Sequence, residues 1–225
     1  MPPKDITIRV SRASEDDALP LAQIEAVAFD DPNTEEPSDV LGRVMFGPPT
    51  ESGQSFRAQE LIQRMRTMPE VRLYKAVAFD KEKGEQDGKV VGFGGWRFYT
   101  DPFPEQDTWE DKPWEFARNP QACNEFFGRL ARAKTKYMGG KRFAWLEILA
   151  VHPDYQGLGV GKKLIQAGLD DAAELALDKA YLEATEAGYP LYKKFGWKDV
   201  DEVIVDLTKY GGKGSWPTAC MSREG

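Results

Sequence analysis

The chain has 225 residues, 41% of them apolar, with 30 lysines and arginines against 37 aspartates and glutamates, a formal charge of −7. That length suits one domain, able to bury about 70% of its unfolded surface without staples. Two distant cysteines, Cys123 and Cys220, and the lone His152 argue against disulfide or zinc frameworks, and the acidic surplus disfavours nucleic-acid binding while weakly suiting an amine partner.

Met1-Pro2-Pro3-Lys4-Asp5 has no apolar region behind it, and no stretch approaches the roughly 18 apolar residues of a membrane helix, so a cytoplasmic protein is expected. Ile6, Ile8 and Val10 alternate with polar residues as in a half-buried strand. Ser14 can cap a helix whose apolar face holds Leu19, Ala22, Ile24, Ala26 and Val27. From Asp30 to Ser52, Asp-Pro, Glu-Pro and Gly-Pro-Pro interrupt regular structure; a helix is predicted from Phe56 to Met68, stopped by Pro69.

Leu73–Phe79 and Val90–Phe98 read as an antiparallel hairpin joined by the charged turn Asp80–Gly88. Gly92, Gly94 and Gly95 suggest a bulge or close approach by another backbone, or plain sheet irregularity. Thr100–Pro120, rich in proline, tryptophan and acid, is expected to be an ordered insertion, followed by a helix over Gln121–Met138 that Gly139-Gly140 ends. Phe143–Val151 is a dense apolar run of buried-strand length, closed by His152-Pro153. A helix starting at Val160 carries Leu164, Gly168, Ala172 and Ala176 at spacing four and ends near Leu177-Asp178. Then come a strand over Ala180–Thr185, a short helix over Gly188–Phe195, a strand from Gly196-Trp197 to Leu207, and Trp216–Met221, which can pair back as a last strand.

The most informative stretch is Gln156-Gly157-Leu158-Gly159-Val160-Gly161-Lys162-Lys163, between a buried strand and a helix start. Unsatisfied first-turn amides with the helix dipole behind them make an anion site, and a diphosphate is its natural guest; a plain turn needing glycine is the competing explanation. A P-loop ending at Gly161-Lys162 would need glycine at Gln156 and serine or threonine at Lys163. A dinucleotide fingerprint fails at Lys162 or Leu164, though Glu183 could serve as a ribose acid. The pattern [QR]-x-x-G-x-[GA] is satisfied by Gln156, Gly159 and Gly161.

The run Leu149 to Leu164 and, in register, Leu182 to Trp197 with its Leu191-Tyr192-Lys193-Lys194-Phe195-Gly196-Trp197 together resemble the GNAT superfamily of acetyl-CoA-dependent N-acetyltransferases. The resemblance covers most of the chain. It implies an α/β fold: a central, mostly antiparallel, splayed sheet of about seven strands flanked by helices, with an extra helical and aromatic insertion between the third and fourth strands. It implies a single domain over 1–225, with 143–207 the cofactor core and 30–52 and 99–140 variable insertions.

It further implies direct acetyl transfer from acetyl-CoA to a primary amine, with no metal and no acyl-enzyme. Backbone at Leu149, Ala150 and Val151 would meet the pantetheine amides, and Gln156, Gly157, Leu158, Gly159, Val160, Gly161 and Lys162 the diphosphate. Gly188 and Tyr192 would complete that set. Tyr192 stands where the family often has its general acid, packing against the cofactor being the alternative. Glu147, the one acid within Phe143–Val151, is the leading base, grouped by period two with Trp145, Leu149 and Val151; a structural hydrogen bond is the alternative, and His152 is the runner-up. Leu149 is the expected oxyanion donor.

Phe29, Phe46, Trp96, Phe103 and Trp109 are candidates to line the acceptor pocket, each also explicable as core. The acceptor is expected to be a small molecule in preference to a peptide or protein amine, with no nucleic acid or membrane partner and a monomer or homodimer. The competing functions are a CoA-binding regulatory protein without catalysis and, less favoured, an NAD(P)-dependent oxidoreductase.

Overall fold

The computed structural model describes residues 5–29, 39–81 and 88–225. Met1 to Lys4, residues 30–38 of the proline-rich segment and residues 82–87 of the hairpin turn lie outside the described residues. The described elements are, in chain order, β1 (Ile6–Arg12), α1 (Ala18–Phe29), α2 (Val40–Phe46), α3 (Glu51–Thr67), β2 (Val71–Asp80), β3 (Lys89–Tyr99), α4 (Pro120–Met138), β4 (Phe143–Val151), α5 (Val160–Glu174), β5 (Lys179–Ala184), α6 (Tyr189–Lys194), β6 (Lys198–Asp206) and β7 (Ser215–Glu224). The strands form one mixed seven-stranded sheet in the order β1-β2-β3-β4-β5-β7-β6. Among the described residues no helix is long and apolar enough to cross a membrane.

The residues group into two compact units. The first holds the described parts of Met1–Glu35, Pro49–Arg97 and Leu146–Asp171; the second holds those of Glu36–Pro48, Phe98–Trp145 and Ala172–Gly225.

In the first unit β1 pairs antiparallel with β2, and β2 with β3. Ala76 faces Gly92 while Val77 faces Val90, so Val91 is an extra residue and the glycine-rich strand bulges there. Ser14 donates from both its backbone N–H and its hydroxyl to Asp17 Oδ2, at 2.7 and 2.8 Å, and a short 3-10 turn over Glu15–Asp17 leads into α1. The core here packs Leu21 and Ile24 of α1 and Leu61 of α3 against Leu73, Phe93 and Ala150 of the sheet. α3 starts at Glu51, ahead of the predicted Phe56, because Thr50 Oγ1 accepts from Gly53 N at 3.0 Å.

Of the readings open for the strand glycines, the bulge is found beside Gly92, and where a backbone approach was the other possibility side chains come close instead. A Cβ on Gly92 would stand 2.6 Å from Val160 Cγ1, and one on Gly94 3.5 Å from Leu164 Cβ. The side chains of α5 lie directly on β3. From the other direction Gly168 of α5 receives the indole of Trp96, which a Cβ would meet at 2.1 Å.

In the second unit β7 pairs antiparallel with both β5 and β6. α2 is a helix where interruption was expected. Asp39 Oδ1 accepts from Gly42 N at 2.8 Å and starts it, and Leu41 and Met45, four residues apart, are both buried. Residues 100–119 of the insertion form no regular element, yet the segment is tied down. Trp114 stacks on Phe127 at 4.9 Å, and Asn124 accepts from Lys112 N and Trp114 Nε1 at 2.9 and 2.6 Å. α4 is capped by Asn119, whose Oδ1 accepts from Ala122 N at 3.1 Å.

Candidate active site

In the first unit, β4 gives way to a turn at His152. The His152 N–H still donates to Val91 O at 2.9 Å, and Pro153, lacking an N–H, opens a short 3-10 turn. His152 Nδ1 accepts from Asp154 N at 3.2 Å, and its ring meets Tyr155 edge-on at 5.7 Å. The imidazole of the runner-up base thus serves as a cap for its own turn. Gln156 Nε2 donates to Val151 O at 3.2 Å, which ties the turn to the strand it follows.

Gly157 and Gly159 have φ of 75° and 81°, a region that favours glycine, and a Cβ on either would meet no atom of the described residues within 4 Å. Lys163 N donates to Gly159 O at 3.1 Å, which makes Gly159 the helix cap. The amides of Val160, Gly161 and Lys162 then fall in the first turn, where no earlier helical carbonyl can accept them, at the positive end of a 15-residue helix. This arrangement suits an anion brought against the main chain.

Upstream on β4, Leu149 lies with Leu164 of α5 on the side of Gly94, while Ile148 packs on the α1–α3 side with Gly95 and Leu73. Glu147 also reaches α3, where its Oε2 accepts from Arg64 Nη2. Phe29, at the end of α1, packs at the edge of the α1–α3 core, and Trp96 is fully buried.

In the second unit Tyr192 of α6 is 7% exposed, and burial pushes its phenol well above the ordinary tyrosine range. A Cβ at Gly188 would stand 2.8 Å from Tyr192 Cε2, so the glycine gives the ring room to fold back over the start of α6. Trp145 Nε1 donates to Glu183 Oε2 at 2.8 Å, and the buried Lys134 of α4 places its ammonium 3.0 Å from the centre of the Trp145 ring. Phe103 packs edge-on against Tyr99, at 4.8 Å, and Phe143, at 5.5 Å. Trp109 covers Gly128 and donates from Nε1 to Asp111 at 3.1 Å; Phe46 is exposed beside Trp114.

The first unit thus brings Glu147, Leu149, Ala150, Val151 and the turn from Gln156 to Lys162 onto one continuous strand, turn and helix start. The second holds Gly188 with Tyr192, and, elsewhere in it, Phe103 and Trp109. Sequence reasoning missed Arg64 and Lys134. It gave Glu183 only a ribose-binding role, although this acid in a buried strand met the criterion applied to Glu147.

Residues 52–197 match the profile of the Acetyltransferase (GNAT) family. No curated protein sequence matches the chain. Among solved structures, the Drosophila melanogaster polyamine N-acetyltransferase, an enzyme that forms N-acetylagmatine, is similar with a TM-score of 0.63 at 11% identity, over 98% of this chain and 100% of that one. A Corynebacterium glutamicum structure named as histone acetyltransferase HPA2 and related acetyltransferase gives 0.56 at 19% identity, over 97% and 96%. The yncA structure from Salmonella typhimurium, with its cofactor acetyl-CoA, gives 0.51 at 13% identity, over 96% and 93%. With the strand order, the glycine turn and a profile match spanning both motifs in agreement, the chain belongs to the GNAT family of acetyltransferases.

Proposed function

We propose that this protein transfers the acetyl group of acetyl-CoA directly to a primary amine of a small molecule. The observation that carries the reading is the turn at Gly157 and Gly159, held at φ values that favour glycine with no atom of the described residues within 4 Å of where a Cβ would stand, ahead of the first-turn amides of α5. That cradle fits a diphosphate. Main-chain groups of Leu149, Ala150 and Val151 and of the turn from Gln156 to Lys162 would hold the cofactor, with Gly188 and Tyr192. When bound, acetyl-CoA supplies an activated acyl carbonyl.

The remaining tasks fall to the chain. Glu147 takes a proton from the amine nitrogen, directly or through water, so that the lone pair is free to attack. The Leu149 N–H donates to the carbonyl oxygen as negative charge grows on it. Tyr192 gives its phenolic proton to the departing sulfur, and the burial that keeps the phenol protonated suits that task. Small amines are favoured as acceptors because fold neighbours include an enzyme that forms N-acetylagmatine.

Thiol release from acetyl-CoA over a panel of primary amines tests the reading. Turnover with at least one small amine is expected. Tyr192→Phe should lower kcat by about a hundredfold with acetyl-CoA affinity little changed. Tight acetyl-CoA binding with no turnover on any amine would point instead to a non-catalytic CoA-binding protein, and calorimetric preference for NAD(P) would overturn the cofactor assignment.

A further inference from the structure

Arg64 lies in the last turn of α3, and its guanidinium meets the Glu147 carboxylate across 83 residues of sequence. The two side chains are 21% and 10% exposed, so the pair is largely shielded from water. Seating the helix does not require this contact, because Leu61, Ile62 and Met65 of α3 already pack into a core shared with Ile148 and Ala150 of β4. On its other side Arg64 adds to the field that, after a backbone hydrogen bond and against burial, helps hold the Glu70 carboxyl below its ordinary range. Glu70 Oε1 in turn accepts from Arg97 Nη2 at 2.6 Å. Acid and base thus alternate from β4 through α3 and the following turn to β3.

A glutamate carboxylate ends a chain of three rotatable bonds, so the strand alone does not fix its direction. A guanidinium is always charged, planar and rigid, and so fixes a carboxylate oxygen in direction as well as in charge. We propose that Arg64 is a positioning residue for amine acetylation: by holding Oε2 of Glu147 it fixes the carboxylate in the one orientation in which the other oxygen receives the proton leaving the amine nitrogen. In that step the N–H bond of the amine breaks and an O–H bond forms on Glu147, and Arg64 keeps all its protons. The inference rests on the proposed amine acetylation with Glu147 as proton acceptor.

A double-mutant cycle tests it, using Glu147→Gln, Arg64→Ala, the pair together and Arg64→Lys in the full chain, with the best amine from the thiol-release panel. Arg64→Ala is expected to lower kcat by about tenfold to a hundredfold, the loss that misplacement of a reacting group by about 1 Å brings. Acetyl-CoA affinity by calorimetry should stay within about twofold, and Arg64→Lys should recover part of kcat. The double variant should be no slower than the slower single one, because Arg64 acts only through Glu147. Losses that multiply, an unchanged kcat in Arg64→Ala, or an undiminished kcat in Glu147→Gln would each overturn the proposal while leaving acetyl transfer intact. Should Arg64→Ala fail to fold, Arg64→Lys decides: a lowered kcat with unchanged acetyl-CoA affinity supports positioning, and an unchanged kcat refutes it. Absence of turnover by the unaltered protein on every amine would instead remove the functional reading itself.

Discussion

Replacing Gly168 by alanine sets two effects of opposite sign against each other. In the interior of a helix the exchange of glycine for alanine stabilises by about 1 kcal/mol. Here the new Cβ would stand 2.1, 2.2 and 2.5 Å from three atoms of the Trp96 indole, which is 0% exposed. Carbon atoms in good contact stay about 3.5–4.0 Å apart, so ring and helix must separate by more than about 1 Å. Overpacking costs about 1–3 kcal/mol, and a rigid bicyclic ring with no flexible end to yield lies at the upper limit. The net expectation is destabilisation by about 2 kcal/mol. For a chain of this size that lowers Tm by about 4–8 °C. Thermal unfolding followed by tryptophan fluorescence, beside a urea titration, measures it. Val160, the first residue of α5, rests on Gly92, so a displaced helix also moves the turn ahead of it. Acetyl-CoA affinity should therefore fall along with Tm. A variant with an unchanged or higher Tm would refute the reasoning, since helix propensity would then outweigh the contact.

Three further outcomes are expected. Gly159→Ala meets no atom of the described residues within 4 Å but is strained at φ 81°, so it should cost about 1–2 kcal/mol in stability and weaken acetyl-CoA binding at least about tenfold, read by calorimetry. Burial would raise the Asp171 carboxyl, but hydrogen bonds from Tyr74 and Arg72, with Arg12 nearby, outweigh it and hold the group below its ordinary value. Its stabilising contribution is thus present above the unfolded carboxylate range and lost as pH falls through the folded value. Asp171→Asn should be about 1–3 kcal/mol less stable at pH 7, and the gap to the unaltered protein should close below about pH 4 in urea titrations. Burial pushes the thiols of Cys123 and Cys220 up to about 12 and about 11, so neither should react with a thiol reagent at pH 8 until the protein is unfolded.

β4 was legible to the residue, because an apolar run closed by His-Pro leaves no choice of boundary, and α4 starts one residue before its predicted beginning. α2 was hidden by the prolines and glycine around it; its start depends on the Asp39 cap and its position on buried Leu41 and Met45, and both are tertiary facts. The place of the glycine turn was legible because a positive φ demands glycine at Gly157 and Gly159. The closeness of Gly188 and Tyr192 follows from their spacing of four at one helix start. Arg64 could not be read in this way. Arg57, Arg64 and Arg66 look alike in the sequence of α3, and only the fold aims one of them at Glu147 while the others meet Glu25 and Glu15.

The position of β7 has a consequence for how the second unit assembles. β7 lies between β5 and β6, paired to Ala184 on one side and to Asp206 on the other through its own Ala219 and Ser215. Two strands made earlier must wait, edges unpaired, for one made after both. A nascent chain that has not yet emitted residues 215–224 therefore carries an open edge on β5 and a β6 with no partner strand, the condition under which chains pair with one another. Translation speed across this stretch, and cleavage just ahead of Ser215, should govern the yield of soluble protein more than substitutions on the exposed face of β6.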